Sequence, residues 1–268
     1  MRTVVSILTA LTLTLGLGFG VAHAKVVGKE VSYKQGRVTL KGYVAYDDAI
    51  KGKRPGVLVV HEWWGHNAYA RKRADMLAEM GYTALAVDMY GNGKQAKHPD
   101  DAKKFMTEVT SHMDILKARF EAGMKTLKAQ KTTDAKNIAA IGYCFGGGTV
   151  LGMARAGENL KGVVSFHGML GTQTPAELGK VKARVAVFTG ADDPFVPATQ
   201  VEAFKQEMDQ AGVDYKLVSY PGAKHSFTNP DADQYGKQFN MPLAYDAAAD
   251  KDSWAQTGVF LKEIFGKK

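Results

Sequence analysis

Apolar residues along this chain fall in short dense runs separated by longer stretches of helical spacing. "RPGVLVVHE", "TALAVDMY", "NIAAIGY", "LKGVVSF" and "ARVAVFTG" are continuous runs of strand length, the pattern of strands covered on both faces. "YKLVSYPG" adds a further strand near the C-terminus, and "KEVSYKQGRVTLKGYVAY" alternates about a central glycine as an antiparallel pair does. Between them, "AYARKRADMLAEMGY" sets Ala70, Ala74, Leu77 and Ala78 on one helical face and stops at Gly81. From Pro99 to about Lys131 the stripe Phe105, Val109, Met113 and Leu116 predicts helix, with Gly123 expected to divide it in two. "GTVLGMARA", Ala198–Ala211 and about Leu243–Phe265 complete the helices, and "TNPDADQYGKQFNMP" reads as a polar loop. Strands alternating with helices predict an α/β domain: a mostly parallel central sheet with helices on both faces and antiparallel strands at its N-terminal edge.

The first residues break this pattern. Met1 and Arg2 precede the uncharged run "VVSILTALTLTLGLGFG", and Ala22-His23-Ala24 has the small-x-small form of a signal-peptidase site. Residues 1–24 are therefore expected to be a signal peptide cut after Ala24, leaving 25–268 as one domain in the periplasm or outside the cell. The net charge of +8 is spread in singles and short clusters, without an aromatic-interleaved basic stripe. That favours a basic surface over nucleic-acid binding. No paired-ligand spacing points to a metal, and no cofactor is expected.

The chain has one cysteine, Cys144, in "IGYCFGGGTV". A lone cysteine cannot form a disulfide within its own chain, and in an oxidising compartment an unpaired thiol is a liability unless it is buried or used. In open α/β sheets, reactive groups lie beyond the carboxyl ends of the strands. Cys144 follows "NIAAIGY", Asp193 follows "ARVAVFTG", His225 follows "YKLVSYPG" and Glu62 follows "RPGVLVV". The order nucleophile, acid, histidine is that of α/β-hydrolases, and Gly142 and Gly146 frame Cys144 as a nucleophile elbow. A helix N-terminus after the turn favours a thiolate and an oxyanion. Asp192 competes with Asp193 as the acid. His61, His66 and His167 also sit near apolar runs and are read as rim or core residues, with His167 the best placed of them to line a pocket. Trp63 and Trp64 suit either packing or an apolar binding surface.

"HEWWG", "VDMYG", "GYCFGGG", "GADDPFVP" and "GAKHSF" together resemble the dienelactone hydrolase family, in family order and over nearly the whole chain after the leader. The resemblance implies an α/β-hydrolase fold and a Cys-His-Asp triad of Cys144, His225 and Asp193. It also implies a glutamate, Glu62, against the thiol, and an oxyanion hole from the N–H groups of Trp63 and Phe145. Relatives are commonly monomers that act on small molecules. The family's named substrate is a lactone bearing a carboxylate held by two arginines; the matching positions here are Asn92 and Asn229, which cannot form a charged bidentate clamp. The expectation is an ester, lactone or thioester hydrolase not specific for dienelactone, with a pocket drawn from Trp64, Tyr90, Asn92, His167 and Asn229. Two competing expectations are a thiol redox protein, disfavoured by the lack of a resolving cysteine, and a binding module that reuses the pocket.

Overall fold

The computed structural model describes residues 26–266; the expected signal peptide lies outside them. The opening antiparallel pair is β1 (Val26–Gln35) and β2 (Val38–Asp47), turning at Gly36. There follow β3 (Arg54–Val60), α1 (Ala68–Glu79), β4 (Thr83–Val87), α2 (Pro99–Thr110), α3 (Met113–Lys128), β5 (Thr133–Tyr143) and α4 (Phe145–Arg155). The chain continues through β6 (Gly162–Phe166), β7 (Arg184–Gly190), α5 (Ala198–Gln210), β8 (Tyr215–Tyr220), α6 (Ala232–Phe239) and α7 (Ala247–Ile264). One eight-stranded sheet has the order β1-β2-β4-β3-β5-β6-β7-β8. β2 pairs antiparallel with both β1 and β4, and every later pairing is parallel.

The dense apolar runs are explained by two cores. Successive strand side chains point to opposite faces, so Leu58 and Val60 enter one core with Val109, Leu116 and Phe120, and with Val150 and Phe204. Val57 and Val59 enter the other, with Ala70 and Leu77 of α1 and Phe260 and Leu261 of α7. Burying each such Val or Leu is worth about 1.5–3 kcal/mol. A surface ion pair such as Lys94–Glu108 is worth about 0–1 kcal/mol. The fold therefore rests on the sandwiched sheet.

Two elements differ from the sequence reading. The break between α2 and α3 falls at Ser111 and His112, not at Gly123. Gly123 lies inside α3, where a Cβ would come within 2.6 Å of Val87 Cγ1, so the residue permits close helix–sheet contact. Met113 starts α3 and is 55% exposed, off the buried stripe. The expected polar loop contains α6, and the final helix starts at Ala247. Tyr235 and Phe239 lie one turn apart on α6 and pack on Trp64, at ring-centroid distances of 4.7 and 5.9 Å. Ala232, Tyr235 and Phe239 recur at helical spacing on this short element, but the polar and turn-forming residues around them make the segment resemble a loop.

Parallel pairing aligns the carboxyl ends. Val60 is opposite Gly142, Tyr143 opposite Phe166, Phe166 opposite Phe188 and Gly190 opposite Tyr220. The segments bearing Glu62, Cys144, His167, Asp193 and His225 thus leave the sheet along one edge.

Candidate active site

Cys144 occupies the turn from β5 into α4, with φ 52° and ψ −115°. That is an unfavourable conformation for a residue with a side chain, and the surroundings impose it. A Cβ on Gly142 would lie 2.1 Å from Gly146 O, and one on Gly146 would lie 2.2 Å from Val60 O. Only glycines let strand, turn and helix approach this closely. The Cys144 N–H is shared between Phe166 O at 3.0 Å and His167 Nδ1 at 3.1 Å. Of the five non-glycine residues with positive φ among those described, two are asparagines and the others are Cys144, His167 and Ser226. Strain in residues that do not tolerate it well is concentrated at this rim.

His225 donates from Nδ1 to Asp193 Oδ2 at 2.8 Å, and Cys144 shares the cleft with it, near enough for a charge on the sulfur to act on the imidazole. Asp193 is held in turn by the Phe195 N–H on its Oδ1, at 2.8 Å. Asp193 is buried and Asp192 exposed, so the geometry selects the second of the two candidate acids. Burial opposes charge on His225, but the negative charge available at Cys144 and the Asp193 hydrogen bond outweigh it and raise the imidazole to about 10.

Glu62 is buried two residues beyond β3. Its two oxygens accept from Ser226 Oγ at 3.1 Å and Asn229 Nδ2 at 2.6 Å, where the resemblance implied a contact with the thiol. Burial raises its carboxyl above the usual range; the Asn229 and Ser226 bonds and the charges of His225 and Arg73 work against that rise. The Glu62 carbonyl is pinned by His61 Nδ1 at 2.5 Å, while His61 Nε2 accepts from Met89 N at 3.2 Å. This fixes the tautomer and holds the peptide that carries the Trp63 N–H. Tyr90 Oη donates to Trp63 O at 3.0 Å, steadying the same loop. The Phe145 N–H lies in the first turn of α4, where no intrahelical acceptor exists.

A second buried network supports the elbow. His167 accepts from Cys144 N at Nδ1, so its Nε2–H donates to Thr228 Oγ1 at 2.8 Å. Thr228 Oγ1 is 2.6 Å from Tyr69 Oη, and Arg73 reaches Tyr69 Oη, the Thr228 carbonyl and Asp250. Burial and the nearby charges of His225 and Arg73 hold His167 well below its ordinary value. It is therefore a neutral strut, and two adjacent imidazolium charges are avoided.

The cleft beside Cys144 has a volume of about 210 Å³ and is bounded by Trp63, Phe145, Met169, Phe195, Met241 and Leu243, with Met106 and His225 completing it. None of the five residues expected to form the pocket lines it. Trp64 is buried as the anchor for α6. Tyr90 and His167 are buried as supports, and Asn229 is committed to Glu62. Asn92 is exposed in a left-handed turn with its N–H on Thr39 O, towards β2. The lining residues come from α2, the start of α4 and loops far apart in sequence, and no periodic signal marks them. His61 is buried in a supporting place, as a core residue; Ser226 and Thr228 carry no sequence signal beyond flanking Phe227 just after His225. Among the described residues, no group of three His, Cys, Asp or Glu side chains could hold a metal.

The chain matches the model of the dienelactone hydrolase family over residues 40–265. It is 32% identical to protein usf of Aquifex pyrophilus over 244 residues, 88% of this chain and 99% of that one. It is 31% identical to a putative carboxymethylenebutenolidase of Aquifex aeolicus, over 76% of this chain and 88% of the relative. Among solved structures, a dienelactone hydrolase-like promiscuous phosphotriesterase from metagenomic libraries superimposes with a TM-score of 0.84 at 34% identity, covering 90% of this chain and 99% of the other. The fold, the family model and the near full-length similarity agree: the chain belongs to the dienelactone hydrolase family and is a hydrolase of that type, built for ester-like and lactone-like substrates.

Proposed function

We propose that the protein hydrolyses neutral carboxylic esters or lactones through an acyl-enzyme on Cys144. The observation that carries this reading is the Asp193–His225 hydrogen bond with Cys144 beside the imidazole at the mouth of an apolar cleft. The Cys144 thiol passes its proton to His225 Nε2, the sulfur attacks the carbonyl carbon, and the carbonyl π electrons move to oxygen. The N–H groups of Trp63 and Phe145 receive that oxyanion; such a donor is commonly worth about 3 kcal/mol. Collapse breaks the C–O bond, and His225 Nε2–H protonates the departing alkoxide. His225 then takes a proton from water, whose oxygen attacks the thioester and releases the acid and the Cys144 thiolate. Asp193 keeps the Nδ1–H tautomer in place. Glu62 adds a buried negative charge that favours the imidazolium form.

Authentic dienelactone fits this site poorly. Its carboxylate would meet Trp63, Phe195, Met241 and Leu243 and no free cation. Position 229 holds Glu62 and position 92 faces elsewhere. The similar metagenomic protein is described as a promiscuous phosphotriesterase; neutral phosphotriesters are a second class that the same nucleophile and apolar cleft would admit. The leader at 1–24 places this chemistry outside the cytoplasm in our reading.

The test is rapid mixing of the mature protein with p-nitrophenyl butyrate, paraoxon and dienelactone. The expected result is a p-nitrophenol burst with butyrate and an acyl adduct on Cys144 by mass spectrometry. Both should be lost in Cys144→Ala and His225→Ala. Turnover surviving in Cys144→Ala would overturn the covalent mechanism.

A further inference from the structure

The cleft beside Cys144 is one of two cavities that meet at the sulfur. The second, of about 230 Å³, also touches Cys144, Phe145, Met106 and Met169, but it runs along α4 past Gly148 and Gly152 and does not reach His225. It opens outward into a basin of about 520 Å³ through Thr110, Met113, Gly152, Arg155 and Thr172. Of six exposed large apolar side chains among the described residues, Met113, Met169 and Phe195 line these two cavities. Solvent-exposed apolar groups gathered on one feature mark a binding surface. The one charged side chain in the α4 cavity, Arg155, is committed to Glu207 through Nε and Nη2 and to Leu170 O. It is not available to hold an anion.

Resting on the acyl-enzyme reading above, we infer that the two cavities are separate subsites, and that the α4 cavity takes an extended apolar acyl chain. The leaving alkoxide must receive its proton from His225, so the alcohol portion lies in the lobe that contains His225. The acyl portion, still bonded to Cys144 after the alcohol departs, then occupies the lobe without it. From Cys144 to Gly152 along α4 is about 12 Å at 1.5 Å per residue, and the far end is open. The substrate class is therefore neutral esters with medium or long straight acyl chains. Gly152 sets the bore of the lobe: a Cβ there meets no atom within 4 Å, so a larger side chain fills cavity space without displacing the fold.

The experiment compares two ladders in wild type, Gly152→Ala, Gly152→Leu and Gly152→Phe. One is p-nitrophenyl acetate, butyrate, octanoate and decanoate; the other is alkyl acetates from methyl to decyl. The expected result is a decanoate-to-acetate ratio of kcat/KM that falls progressively with side-chain size, by about tenfold or more in Gly152→Phe, the scale on which an apolar pocket discriminates. The alcohol ladder should keep its wild-type slope. A fall in the alcohol ladder instead, or an acyl ladder that ignores all three variants, would overturn the assignment. Should Gly152→Phe not fold, Gly152→Leu carries the same comparison. Absence of turnover of every ester would defeat the hydrolase reading and with it the acyl assignment, but not the lobe as a site for an apolar chain attached to Cys144. S-alkyl methanethiosulfonates then decide it: the Cys144 thiolate forms an S–S bond to the alkylthio sulfur as methanesulfinate leaves. Faster capture of decyl than methyl reagent, lost in Gly152→Phe, supports the lobe; equal capture in both proteins overturns it.

Discussion

Replacing Asn229 by leucine keeps the side-chain size close and deletes two hydrogen bonds, the 3.0 Å bond its Oδ1 accepts from the Asp231 N–H and the 2.6 Å donation to Glu62 Oε2. The acceptor is a buried carboxylate, and a hydrogen bond to a charged group is worth about 1.5–3 kcal/mol. For a domain of this size, each kcal/mol moves Tm by about 2–4 °C, so Asn229→Leu should lower Tm by about 3–12 °C where Glu62 is ionised. The pH dependence identifies the cause. Burial already raises Glu62 above its unfolded value of about 4.3, and Asn229 is the largest of the effects holding that rise down. Removing it raises the folded value further. A group with a raised carboxyl value loses its proton first in the unfolded chain, so its burial opposes folding increasingly as pH rises from the unfolded value through the folded one. The Tm deficit of Asn229→Leu should therefore be smallest near pH 5 and grow towards pH 9. In a Glu62→Gln background the growth should vanish. Thermal melts of the four proteins across that range decide the matter. A deficit that is the same at both ends would mean that Asn229 acts only through packing and its bond to Asp231, and that the carboxylate account is wrong.

Two further outcomes follow from the same site. The His225 imidazole, raised to about 10 in large part by charge at Cys144, should titrate at lower pH in Cys144→Ala when followed by NMR of the ring protons. Its stabilising effect is complete below about 6.5 and lost as pH rises through about 10, so the Tm of the wild type should fall across that window more than that of Cys144→Ala. His167→Leu removes one of the two acceptors of the Cys144 N–H and leaves Thr228 unpartnered on that side. It should cost about 1–3 kcal/mol of stability and lower kcat more than it changes KM; an unchanged kcat would show that Phe166 O alone holds the elbow.

The strands were legible because a sheet covered on both faces demands continuous apolar runs, and β3, β4, β5, β6 and β7 all supply them. Reactive side chains placed just after those runs follow from parallel pairing, which is why Cys144, Asp193, His225 and Glu62 could be named from their positions. The cleft was not legible. Met106, Met169, Phe195 and Met241 belong to different segments and meet only after folding. The partners of Glu62 are 164 and 167 residues away, so Asn229 looked like a lost substrate clamp when it is a ligand of the buried carboxylate. Trp64 likewise suits a binding surface in the sequence, because its partners, Tyr235 and Phe239, lie in a segment whose polar and turn-forming residues suggest a loop.

Cys144 is the one thiol in the chain, and it is partly accessible at the cleft. A thiol-specific reagent therefore reports on a single position without any background to subtract. The moles of label taken up by a preparation count its intact sites, and inactivation and labelling should proceed with one stoichiometry. Quality control, covalent attachment to a support and placement of a spectroscopic probe all have the same address, and under the proposed mechanism any of them can be chosen only at the expense of turnover.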